Sequence, residues 1–162
     1  QPCQGEVNVK YYVTPSSWRA LPTEGLDKWG TPYKTDTTTM IKNYDGNGNF
    51  ATSGRSDNVA ALFQGYLRIE PNIMKICLVS DDGSKLYFDN VLLIDNDGLH
   101  GDRRKCANVS AGVYKMDLEY FDHIKFPFLF VFTLTQVICS AHFFYLYKPL
   151  FIYRFLYICI YL

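Results

Sequence analysis

Two short acidic runs, Asp81-Asp82-Gly83-Ser84 and Asp95-Asn96-Asp97-Gly98, hold the residues of this chain best suited to chemistry. Carboxylates at successive positions repel one another unless a cation or hydrogen-bond donors sit between them, and hard oxygen ligands in a turn suit calcium. Asp81, Asp82, Asn96 and Asp97 are therefore the expected metal ligands, an oxygen cage with one position left open. So open a cage would bind calcium at ~0.1–1 mM, the range of extracellular modules. The same residues are also what β-turns select, because Asp and Asn bond their own backbone and Gly accepts positive φ. A metal site and a plain pair of turns are thus two readings of one stretch. Beside it, His100 and Arg103, with Arg104 and Lys105, either offer donors to an anionic ligand or form a solvated basic loop.

No catalytic constellation accompanies these residues. Neighbouring aspartates in one turn do not face each other across a glycosidic bond, where a hydrolase holds its two carboxyls roughly 5 Å or more apart. Ser80 and Ser84 have no His placed to activate them. A binding module without enzymatic activity is the expectation.

The elements that must hold the turns read as strands. Val7, Val9, Tyr11 and Val13 alternate with Glu6, Asn8, Lys10 and Tyr12, the period-two signature of a strand with one buried face. Residues 60–69 and 73–79 predict two more, and the nearly unbroken apolar run of the second marks it as central. Residues 85–89 and 91–95 predict a hairpin about Asn90, which brings the two acidic turns to the same end of a sheet. A last strand is predicted over 113–121, where Tyr114, Met116, Leu118 and Tyr120 alternate with Lys115, Asp117 and Glu119. Residues 14–59 read as loop-rich, with no convincing helix and with Trp18, Leu21, Leu26 and Trp29 as anchors onto the core. Trp18, Trp29 and Tyr33 are expected to plug the sandwich rather than stack on a flat ligand. Short strands at this spacing predict an all-β, antiparallel β-sandwich.

The 162 residues carry 16 Lys+Arg against 16 Asp+Glu, with 48% hydrophobic and 17% aromatic residues. That fits one domain with an extension, and zero net charge gives no field to gather a nucleic acid. The balance sums two unlike parts. Residues 1–122 carry 16 acids and 13 bases, whereas 123–162 carry three bases and no acid. The seam separates a domain, 1–122, from a tail, 123–162, in which residues 124–162 hold 13 of the 27 aromatics. Translation of a retained intron is the first reading of the tail, because Phe, Tyr, Ile, Leu, Val and Cys share U-rich codons. In that case the sandwich lacks its last strand or strands and exposes an apolar edge. A membrane anchor is the second: the 22 residues 126–147 carry no formal charge and would cross ~30 Å of hydrocarbon, with Lys148 and Arg154 on the cytoplasmic side. A divergent strand is the third, suggested by alternating Phe126, Phe128, Phe130 and Phe132. Gln1 in place of a start methionine predicts a processed chain or a fragment. Cys3, Cys77 and Cys106 predict one disulfide and one cysteine left over, with the pairing open. Asn108-Val109-Ser110 is a glycosylation sequon at Asn108.

The blocks SDDGSKLYFDN (80–90), VLLIDNDGLHG (91–101) and AGVYKMDLEYF (111–121) follow one another in a specific order. Preceded by Tyr11-Tyr12 and by Phe63, Gly65, Leu67 and Ile69, they resemble the protective-antigen-type β-sandwich domain family, the PA-fourteen domain, over roughly residues 3–122. The resemblance implies an extracellular or cell-surface module of the kind carried by adhesins, toxins and carbohydrate-active enzymes. Its implied partner is a glycan or a cell-surface glycoprotein. In the yeast adhesin branch of that family, two adjacent aspartates joined by a cis peptide, with an Asn and backbone carbonyls of a neighbouring loop, hold a calcium that coordinates sugar hydroxyls. Asp81 and Asp82 match the pair; the long loop that supplies the Asn is absent here, and Asn96 and Asp97 stand in for it. The implied function is calcium-dependent carbohydrate binding or adhesion through Asp81 and Asp82, to which the basic stretch would add His100 and Arg103 as ligand contacts. A non-catalytic accessory or structural domain of a larger secreted or cell-surface protein is the alternative.

Overall fold

A computed structural model describes residues 6–38, 49–123 and 128–135. In chain order its elements are β1 (Val7–Val13), α1 (Leu26–Trp29), β2 (Lys34–Thr38), β3 (Val59–Ile69), β4 (Ile73–Asp81), β5 (Ser84–Phe88), β6 (Val91–Asn96), β7 (Arg103–Asn108), β8 (Gly112–Asp122) and β9 (Phe128–Thr135). They form a six-stranded sheet in the order β2-β1-β3-β8-β5-β6 and a three-stranded sheet in the order β7-β4-β9. Every pairing is antiparallel. The fold class is the expected all-β antiparallel sandwich, and the strand read as central, β4, does lie between two neighbours.

Period-two alternation explains both faces of the large sheet. Val7, Val9, Tyr11, Phe63, Leu86 and Leu118 point into one core together with Ile76 and Leu78 of β4. The intervening residues Tyr12, Ala60, Leu62 and Phe121 form a second apolar patch on the reverse of the same sheet. Leu21 and Leu26 are buried there, and Trp18 and Trp29 pack on it edge to face with ring centroids 4.5 Å apart. The predicted anchors therefore hold, but they cover the outer face instead of plugging the space between the sheets. Each large apolar side chain so buried stabilises the fold by roughly 1.5–3 kcal/mol.

Three elements went unpredicted: α1, β2 and β7. The helix α1 is only four residues long, too short to show a period. The strands β2 (KTDTT) and β7 (RRKCAN) lie at sheet edges, where polar and charged residues are what an edge tolerates and where alternation disappears. The basic run Arg103-Arg104-Lys105 is thus strand rather than loop.

Residues 128–135 lie in the tail set apart by composition, and they run as β9 against β4, from Ile73↔Thr135 to Asp81↔Phe128. A backbone paired in this way cannot also belong to a membrane helix, so β9 removes those residues from the proposed span over 126–147. Among the described residues no helix is long and apolar enough to cross a membrane. Cys77 and Cys106, opposite one another in β4 and β7, form a disulfide across a separation of 29 residues. A loop of that length corresponds to ~3–4 kcal/mol in the chain-entropy account. Cys3 lies outside the described residues.

Candidate functional site

The predicted hairpin about Asn90 is present. Asp89 and Asn90 both take positive φ, 49° and 66°, the conformation of a tight primed turn. Its register puts Ser84 opposite Asn96, so the two acidic turns do emerge side by side. Gly83 lies so close to the second turn that a Cβ there would come within 2.4 Å of the Phe121 ring, 2.5 Å of Asp97 Oδ1 and 2.9 Å of the Gly98 nitrogen. Only glycine fits this approach.

The second turn satisfies itself. Asn96 is fully buried; its amide donates to Ser80 Oγ (2.9 Å) and the Arg103 carbonyl (3.0 Å), and its Oδ1 accepts from Arg103 Nε (2.8 Å). Ser80 Oγ in turn lies 2.8 Å from Ser84 Oγ, completing a buried polar network. Asp97 Oδ1 accepts from the backbone N–H of Leu21 (2.9 Å) and of Gly98 (2.8 Å), and its Oδ2 pairs with Lys85 Nζ at 2.9 Å. Arg103 also donates from Nη2 to the Asp97 carbonyl (2.6 Å). Both His100 ring nitrogens face backbone carbonyls, those of Asn96 (2.9 Å) and Gly101 (2.8 Å). Asn96, Asp97, His100 and Arg103, the residues expected beside the aspartate pair, are thus brought together in one bonded cluster. Their polar atoms are spent on holding the loop between β6 and β7.

The first turn differs. The Asp81–Asp82 peptide is cis, the form that the resemblance implied for an aspartate pair. Tyr120 donates its hydroxyl to the Asp81 carbonyl (2.6 Å), and the Phe121 N–H donates to the Gly83 carbonyl (3.0 Å). Asp82 is buried, with Oδ1 accepting from the His100 N–H (3.1 Å) and Oδ2 from the His123 N–H (3.0 Å). Asp81 beside it is half-buried, and burial, reinforced by the charges of Asp82 and Asp102 and opposed by His100, raises its pKa.

Behind this pair stands a residue that the sequence did not point to. Asp122 is 1% exposed, and neither of its carboxylate oxygens has a hydrogen-bond partner. Burial, then the charges of Asp82, Asp81 and Asp57, push its pKa up to about 8. An acid at the end of an alternating strand reads as a surface residue; only the long-range pairing of β8 with β3 encloses it. Tyr120 was likewise counted only as a core residue. Among the described residues no three His, Cys, Asp or Glu side chains converge on one point ready to hold a metal. Two carboxylate oxygens buried without partners, in the field of Asp82 and Asp81, leave a surplus of negative charge at this rim. Asn108, the sequon residue, is exposed at the end of β7.

No curated protein matches the chain. Among solved structures, it is similar to the PA14 domain of the MpAFP antifreeze protein, 14% identical with a TM-score of 0.62 over 85% of each chain. It is also similar to a PA14 sugar-binding domain from an RTX adhesin, 13% identical with a TM-score of 0.62 over 81% of this chain and 90% of that one. An anti-sigma factor domain-containing protein is 16% identical with a TM-score of 0.61; 85% of this chain aligns, but it spans only 44% of that protein. These likenesses show the fold. The PA14 domain family matches residues 8–127, from the second residue of β1 to beyond the end of β8, and so the chain belongs to the PA14 domain family.

Proposed function

We propose that this chain is an extracellular carbohydrate-binding and adhesion module that holds its glycan through calcium at Asp81 and Asp82. The observation that carries this reading is the surplus of negative charge at one rim, where Asp81 and Asp82 are adjacent and Asp122 is buried behind them without a donor. A hard divalent cation is the partner that such an oxygen set suits. When bound, it would supply open coordination positions for sugar hydroxyls. Asp82 is oriented for that task by the N–H groups of His100 and His123, while Asp81, less buried, faces the rim. Asn96, Asp97, His100 and Arg103 keep the neighbouring loop in place. The likeness to a domain described as sugar-binding supports a glycan or cell-surface glycoprotein as partner. The Cys77–Cys106 disulfide supports an oxidising, extracellular location.

A glycan array read in calcium and in chelator, with the wild type and Asp81→Asn/Asp82→Asn, tests the proposal. Binding that needs calcium and disappears in the variant is expected. Binding indifferent to chelator would remove calcium from the reading, and an empty array would favour the second reading. In that reading the chain is a non-catalytic accessory or structural domain of a larger secreted or surface protein, as its 44% coverage of a longer relative would suit.

A further inference from the structure

Along the outer face of the six-stranded sheet the side chains change character within the same strands. At one end Tyr12, Leu62 and Phe121 are apolar and pack against Leu26 and the two tryptophans. Further along, the same face carries Asn8 of β1, Gln64 of β3 and Asp117 of β8, which stand opposite one another across the sheet, with Thr37 of β2 beside Asn8. The row crosses four strands, ~14 Å at the usual strand spacing. Over its β2, β1 and β3 part opens a groove of about 480 Å³, lined by Asn8, Lys10, Thr35, Thr37 and Gln64. That volume falls within the roughly 300–1,000 Å³ of small-molecule clefts.

The chemistry of the groove selects its occupant. Lys10 pairs with Asp27, Lys34 with Asp36 and Lys115 with Asp117, so these six charges in and beside the groove cancel and give an ion no net field. What remains is neutral. Amides and hydroxyls both donate and accept, which suits a ligand rich in hydroxyl groups, and Gln64 Nε2 is held in place by Asp117 Oδ1 at 3.0 Å before any ligand arrives. Tyr66, two residues beyond Gln64 on the same face, is 50% exposed, and its ring offers an apolar surface to the C–H face of a sugar. We infer that this outer face carries a second ligand site, one that takes a neutral oligosaccharide without a metal. The class of ligand is that of the function proposed above, but the site shares no residue with the Asp81-Asp82 rim and does not need calcium.

The test is an array of neutral and of sulfated oligosaccharides, read in chelator and in calcium with the full chain as wild type and as Asn8→Ala/Gln64→Ala. The expected result is that the wild type binds neutral members in chelator and that the variant binds them at least tenfold more weakly. With the groove disabled, whatever binding the variant keeps is the rim's and needs calcium. Binding in chelator that the variant retains in full, or that only sulfated members show, overturns the inference. So does an array that stays empty in chelator; binding that then appears in calcium and disappears in Asp81→Asn/Asp82→Asn leaves the calcium reading standing alone. An array empty in both conditions overturns both. Should Asn8→Ala/Gln64→Ala fail to fold, the backbone amide resonances of the wild type decide, on titration in chelator with the neutral member bound best: Asn8, Thr37 and Gln64 shift together, or the inference falls.

Discussion

The two acidic turns at the sandwich rim are built from the same residue types and sit against each other, yet they are in opposite electrostatic states. In Asp95-Asn96-Asp97-Gly98 every inward oxygen has a donor: Arg103 for Asn96, and Leu21, Gly98 and Lys85 for Asp97. At Asp81-Asp82 the donors are two backbone N–H groups on Asp82, while Asp122 behind it has none. The first arrangement is a finished piece of structure. The second carries negative charge that the protein does not neutralise by itself, and such a place is where a cation gains most. Turn-forming residues alone do not distinguish a site from a scaffold; a count of donors against acceptors does.

If this contrast is right, damage to the finished turn lowers stability and spares calcium binding, whereas changes at the open turn do the reverse. The largest effect is expected from Asn96→Ala, which strands Ser80 and Arg103 in a fully buried network and should cost about 3 kcal/mol in chemical denaturation. Calcium affinity should survive it in whatever fraction folds. Gly83→Ala comes next, at about 2–3 kcal/mol, because its Cβ meets a ring and the backbone of the other turn; a loss below about 0.5 kcal/mol would mean that the two turns are not in contact. Asp81→Asn is expected to leave stability in chelator nearly unchanged while removing the ~1–3 kcal/mol that calcium at 10–100 times its Kd would add. Its counterpart Asp97→Asn, which breaks the mostly buried pair with Lys85, should lose about 1–2 kcal/mol in both conditions. Equal behaviour of these two variants would erase the distinction.

The smallest effect concerns pH, at a group that shares Lys85 with the second turn. Glu119 is buried under α1, where burial raises its pKa above the usual 4.5 while the Leu26 N–H (2.7 Å) and Lys85 pull it down. The folded chain holds this proton over a window in which the unfolded chain releases it. Stability contributed by Glu119 is therefore complete below about pH 4.5 and falls as pH rises through the folded pKa. Glu119→Gln keeps the acceptor for Leu26 and should flatten that fall in melts taken across weakly acid pH, leaving calcium binding untouched.

Much of the fold could be read in advance, and the reason is local. Alternation in β1 and β8 and the paired turn residues at Asp89-Asn90 are properties of neighbouring residues, and they specify strands and a hairpin without reference to the rest of the chain. The aspartate pair was legible in the same way. What was misread lay at edges and at distances. The polar edge strands β2 and β7 show no period, and the bonds of Arg103 to Asn96 and Asp97 come from a pairing that no local pattern signals.

By itself the sequence determined where strands and turns must be and that two acidic turns would meet at one end of a sheet. Only the tertiary structure decided which of those acids is satisfied. The Leu21 N–H that quiets Asp97 comes from 76 residues away, and the His123 N–H that grips Asp82 from 41. Asp122 is enclosed by the pairing of β8 with β3. The state of a carboxylate depends on its burial and on its donors, and both are supplied by segments that only folding brings together.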